Sequence, residues 1–105
     1  MLILNVTVKV EFSVHDTWLH WMRSEHIPDV LRVGIFYECR LFRIETFQGD
    51  DGVTYAVQYT CNNRDDLERY ERDYAPALRA KHQALFEKST VAFRTCLEHV
   101  ETFAS

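Results

Sequence analysis

The chain has 105 residues, 47% hydrophobic and 13% aromatic, with three glycines, two prolines and a formal net charge of −4. That length allows one two-layer core and not two, so a single domain over 1–105 is expected, and the composition excludes a disordered or low-complexity chain. The twelve basic residues are scattered among sixteen acids, which argues against a nucleic-acid partner, since such binding relies on clustered Lys and Arg.

Residues 2–12 alternate strictly, with Leu2, Leu4, Val6, Val8, Val10 and Phe12 on one face and Ile3, Asn5, Thr7, Lys9 and Glu11 on the other. A period of two over this length predicts a strand with one buried face. The same alternation breaks any secretory apolar segment. With Cys39, Cys61 and Cys96 odd in number and lacking CxxC spacing, a cytoplasmic protein with free thiols is expected. No apolar run is long enough for a membrane span, so no membrane association is expected.

Ser13 is a candidate N-cap with Asp16 in the first turn. From Val14 to Ile27 the period changes: Val14, Trp18, Trp21, Met22 and Glu25/His26 recur at three and four, the pattern of an amphipathic helix. Pro28 disfavours helical geometry at Ile27 and suits the start of a new short piece over 29–31, closed by Gly34.

Residues 35–47 predict a second strand, 48–52 a turn and 53–61 a third strand, together a hairpin. Asn62 or Asn63 can cap a long helix over 64–88, kinked at Pro76. A last strand over 90–100 places Val91, Phe93 and Leu97 on one face.

The order β-α-β-β-α-β predicts an α+β, ferredoxin-like fold, a four-stranded antiparallel sheet with two helices on one face. The other face is not simply polar: Ile3 and Thr7 lie there, and the second and third strands carry apolar residues on both sides. Such a face needs a partner, and a second copy, packed sheet to sheet, is expected.

The strings NVTV, HDTWLHWMRSEHIPDV, GVTYAVQYTC, LERYERDYAPALRAKHQALF and VAFRT resemble the bacterial family DUF4286 over nearly the whole chain. The resemblance implies a dimeric α/β barrel and implies no activity. That superfamily also holds cofactor-free monooxygenases, haem-degrading enzymes, lactone isomerases and dye-type peroxidases, related to this chain through fold alone.

Trp18, Met22 and His26 form a row that turns slowly around the first helix. An imidazole there faces the gap between helices and sheet, where a pKa near neutrality suits a general base. The alternative is a helix-terminal histidine bonding free carbonyls. His82 borders the stripe of the second helix and can share that gap. Two histidines with Glu25 or Asp29 could form a metal triad, but HxxxH and HxxE spacings are absent and no metal is expected.

Tyr55 and Tyr59, with Tyr70 and Tyr74, could line a pocket for a planar ligand or simply fill the core. Arg94, on a face with Ala92 and Cys96, is read as pointing to the dimer partner, pairing with Glu38 or Glu98 or binding an anionic substrate. Arg40 and Arg43 raise the same choice in the second strand.

Phosphate loops, nucleophile elbows and redox pairs are absent. The sequence therefore reads as a homodimer with a pocket for a small aromatic or apolar molecule. His26 is its catalytic candidate, and His82, Tyr59, Tyr74, Trp18 and Met22 are its ligand-binding candidates. It needs no cofactor and is oxygenase- or isomerase-like; the alternative is a non-catalytic ligand-sensing or protein-interaction dimer.

Overall fold

The computed structural model describes residues 1–46 and 49–105. The alternating N-terminal run forms β1, Leu2–Glu11, with Leu2, Leu4, Val8 and Val10 buried. Phe12, expected on that buried face, has left the strand for a 3-10 turn, Phe12–Val14, and is 58% exposed. Ser13 sits inside this turn. The next helix is capped by Val14 without a side-chain bond, and Asp16 occupies its first turn.

That helix runs as α1, His15–Trp21, a π-helical turn, Met22–His26, and α2, Ile27–Arg32. The break expected at Pro28 does not occur. Pro28 has no N–H to donate, and in α geometry its ring meets the carbonyl four residues back, that of Ser24. The rod continues because the hydrogen-bond ladder widens ahead of the proline, with the Ile27 N–H bonding the Met22 carbonyl five residues away. Gly34, at φ 87°, ends the rod.

Ile35 and Phe36 are buried before β2, Glu38–Arg43, which is shorter than expected. The end of the expected strand at Phe47 and the start of the turn at Gln48 lie outside the described residues. β3, Gly52–Cys61, follows. Asn63 caps α3, Arg64–Asp73, its Oδ1 accepting the Asp66 N–H at 2.9 Å. The expected kink is a stop and restart: Tyr74, at φ −123°, separates α3 from α4, Ala75–Phe86, with Pro76 in the first turn of α4. β4 is Thr90–Glu98.

The sheet order is β2-β3-β1-β4 with every pair antiparallel, the ferredoxin-like arrangement. Tyr59 lies opposite Leu4, Val57 opposite Val6 and Tyr55 opposite Val8, so these residues form the floor beneath the helices. Trp18 and Val30 are fully buried against it.

The phase of β4 corrects one expectation. Arg94 pairs with Val6, on the helix side of the sheet, while Phe93 and Leu97 pair with Thr7 and Ile3 on the open side. The arginine therefore faces inward, and the bulky set Val91, Phe93 and Leu97 faces outward. Among the described residues, no helix is long and apolar enough to cross a membrane.

Two glycines resist substitution for different reasons. A Cβ on Gly34 meets nothing within 4 Å, so Gly34→Ala costs only backbone strain, about 1–2 kcal/mol. A Cβ on Gly52 runs into the Val10 carbonyl oxygen, so the β1–β3 ladder itself must shift. Urea unfolding is expected to show a modest loss for Gly34→Ala and a distinctly larger one for Gly52→Ala.

Candidate functional site

In an uninterrupted α-helix, His26 would stand about 80° around the axis from Trp18. The π turn places more residues in each turn and brings His26 back over the same stripe. Trp18, Met22 and His26 thus line one cavity of about 210 Å³ above Val6, Val57 and Tyr59 of the sheet. His82 and Arg79 of α4 line its other wall, and Arg94 of β4 lines it from the sheet side.

The buried indole of Trp18 donates its N–H to Nε2 of His82 at 3.0 Å. Indole nitrogen is only a donor, so Nε2 must carry a lone pair and the imidazole proton sits on Nδ1. Burial, then the Arg94 charge, holds the His82 pKa below its ordinary value, which favours the same neutral ring.

His26 stacks on Trp21, with centroids 5.1 Å apart and planes 24° apart, and lies 6.1 Å from the His82 ring. Burial and then His82 push its pKa down to about 4, with Arg94 and Lys81 acting the same way and Asp29 opposing. The near-neutral pKa expected from sequence is therefore corrected. His26 is an uncharged imidazole at pH 7, and it lies within the helical rod instead of terminating it.

Tyr59 is 3% exposed, and its hydroxyl has no hydrogen-bond partner among the described residues. The nearby Cys39 thiol perturbs its titration without meeting hydrogen-bond geometry. Burial pushes the Tyr59 hydroxyl well above its ordinary pKa and the Cys39 thiol up to about 11. An orphaned buried hydroxyl costs about 1–3 kcal/mol, so an acceptor reaching it from the cavity, water or ligand, would be stabilised there.

Tyr74 is not among the lining residues; it sits at the α3–α4 break, 39% exposed. Tyr70, which was grouped with it, does line the cavity, its hydroxyl raised to about 12 by burial. Tyr55 packs instead against Trp18 and His15, and its hydroxyl meets His15 Nε2 at 2.6 Å and an Arg43 nitrogen at 3.3 Å.

Arg79 is paired to Glu71 at 2.8 Å, whereas Arg94 has no carboxylate within ion-pair distance among the described residues. Among the described residues, Arg94 makes no ion pair with Glu38 or Glu98 of its own chain. Arg79 was not singled out as a cavity residue, Tyr70 was offered as one of four tyrosines that could line a pocket, and Arg94 was aimed the wrong way. The signal that locates Arg94 is its parity with Val6, which becomes readable only once the β1–β4 register is known. Among the described residues, no three His, Cys, Asp or Glu side chains are placed to share a metal ion, so the His26, His82 and Glu25 or Asp29 set does not assemble.

A four-stranded sheet with a cavity beneath its helices defines the ferredoxin-like α+β class, and solved structures share it. An ethyl tert-butyl ether d (ethd) family protein from Bacillus halodurans matches at TM-score 0.70 and 12% identity, covering 95% of this chain and 100% of its own. SnoaB from Streptomyces nogalater, a cofactor-independent oxygenase, matches at TM-score 0.68 and 12% identity, covering 99% and 98%. A dimeric ferredoxin-like protein from an uncultured marine organism matches at TM-score 0.64 and 9% identity over the whole of both chains. At these identities the likeness is one of fold. No curated protein matches. Residues 1–100 match the family described as Domain of unknown function (DUF4286), and the chain belongs to that family.

The depressed His26 pKa sets a pH dependence of stability. Between its ordinary value of about 6.5 and about 4, the unfolded chain binds a proton that the folded chain refuses. Stability is therefore expected to fall as pH drops through that window, by at most roughly 3 kcal/mol from His26. His82 acts in the same direction. Urea titrations from pH 7 to 4 should show this slope in the wild type and a flatter one in His26→Asn.

Proposed function

We infer that the chain is a cytoplasmic homodimer whose cavity binds a small, mostly aromatic or apolar molecule, and that His26 removes a proton from an acidic carbon of it without a cofactor. The observation that carries this reading is an uncharged, half-buried imidazole in a cavity walled by both apolar and polar side chains, next to a second imidazole with a fixed tautomer. Trp18 and Met22 supply apolar wall. Tyr59 and His82 supply polar contacts. Tyr74 has no part in it.

The proton passes from carbon to the free imidazole nitrogen of His26, and the electron pair moves into an adjacent carbonyl to give an enolate. Returning the proton at another carbon isomerises the substrate; reaction of the carbanion with dioxygen oxygenates it. The enolate stabilises the new imidazolium beside it, which offsets the burial that makes empty-site His26 a weak base. The cofactor-independent oxygenase among the structural relatives supports chemistry of this kind.

A second reading, a non-catalytic ligand-sensing dimer, is favoured by one observation. A base of pKa about 4 is far from the optimum for proton transfer near pH 7.

The open sheet face supports the dimer. Phe42, beneath the Arg40 guanidinium at 5.0 Å, and Val91, Phe93 and Leu97 leave large apolar area exposed there. Between them Asn5 bonds Thr7, Thr95 and Gln58 at 3.1–3.3 Å, so these polar groups satisfy one another and can be covered at little cost. The dimeric relative from a marine organism supports the same state.

Two experiments test these points. Thermal-shift screening against aromatic acids, phenols and lactones should raise the melting temperature of the wild type. NMR in D₂O should then show exchange of the acidic C–H of the bound compound, slowed about 100-fold or more in His26→Asn. Binding without exchange selects the sensing reading. For the dimer, light scattering should give twice 12.5 kDa for the wild type and the single-chain mass for Val91→Glu/Phe93→Glu; a wild-type monomer overturns it.

A further inference from the structure

Two charged side chains line the cavity without an ion-pair partner among the described residues, Arg94 and Glu87. Arg94 projects from β4 on the helix side, opposite Val6 and between the small residues Ala92 and Cys96. The other guanidinium of the cavity, Arg79, already holds Glu71 at 2.8 Å. Arg94 has no such partner among the described residues, and burial, then Arg79, holds its pKa below the ordinary value. Arg94 is exposed at the open side of the cavity, and a guanidinium there with no carboxylate partner among the described residues presents its N–H donors to an oxygen anion.

The Tyr59 hydroxyl is the independent second observation. It is buried, lines the same cavity and is unbonded among the described residues. His82 adds an Nδ1–H donor, because Trp18 occupies its other nitrogen. Leu4, Val8 and Met22 form an apolar wall around these groups. Glu87 also lines the cavity, and its charge disfavours a second negative group on the same ligand. The volume of about 210 Å³ is below the ~300–1,000 Å³ of drug-sized sites and fits one or two rings.

We propose that the cavity is selective for a monoanionic aromatic oxygen acid of one or two rings, with Arg94 as its counter-ion and the Tyr59 hydroxyl as a second bond to the anionic oxygen. This rests on the ligand-pocket reading given under Proposed function and adds the charge of the ligand to it.

The experiment is isothermal titration calorimetry with 1-naphthoate and its neutral isostere 1-naphthamide. Wild-type protein is expected to bind the acid at least about tenfold more tightly than the amide, a difference of about 1.4 kcal/mol. Arg94→Met should abolish the preference by weakening the acid far more than the amide, and Arg94→Lys should retain part of it. The wild-type ratio and the lysine variant keep the proposal testable if Arg94→Met folds poorly.

Equal affinity of wild type for acid and amide overturns the proposal and leaves the pocket standing. Failure of both probes to bind overturns the pocket reading as well. A preference that persists undiminished in folded Arg94→Met removes Arg94 as the counter-ion and overturns the proposal.

Discussion

A fully buried indole must place its N–H somewhere, and in this fold the acceptor is His82, 64 residues away. That single bond ties the first helical rod to α4 across the top of the sheet and selects the tautomer of His82. Trp21, His82 and Phe86 pack beside it at centroid separations of 5.5–5.8 Å, and His26 stacks on Trp21. Each aromatic contact contributes about 0.5–1.5 kcal/mol beyond its buried area. The cavity is the space left where these rings stop and the smaller side chains of β1 and β4 begin.

The electrostatics of that space follow from position more than from composition. The chain carries a net charge of −4, yet both histidines have depressed pKa values. Desolvation leads in each case, and the Arg94 guanidinium adds to it. The orphaned Tyr59 hydroxyl completes a cavity that is better hydrated or occupied than dry. A small protein tolerates such a deficit because its main stabilisation lies elsewhere, in the paired faces of β1 and β3 and the helices above them.

Much of this fold was readable before any coordinates. The alternation of β1, the cap at Asn63 and the hairpin signals depend on local chemistry, and local chemistry decided them. The phase of β4 was different. Val91, Phe93 and Leu97 are bulkier and more apolar than Ala92, Arg94 and Cys96, so hydrophobicity pointed the wrong set toward the helices. Register with β1 settles which set faces inward, and one residue of slip would reverse it. The site was partly legible for a related reason. Trp18, Met22, His26, His82 and Tyr59 could be placed on inward faces from periodicity. The exclusion of Tyr74 and the entry of Arg79 depended on how α3 and α4 restart around Pro76. The depth of burial that lowers the His26 pKa could not be read from spacing at all.

The π turn between α1 and α2 decides how this chain can vary in length. It amounts to one residue spliced into an α-helix, and the proline two positions after it keeps the splice in place. Tightening the turn to α geometry with all its residues kept would rotate everything beyond it by about 100°. Val30 would then leave the core and His26 would leave the cavity wall. Losing one residue between Met22 and His26 would instead give an ordinary helix in nearly the same phase, whereas gaining one elsewhere in the rod would throw its far end out of phase.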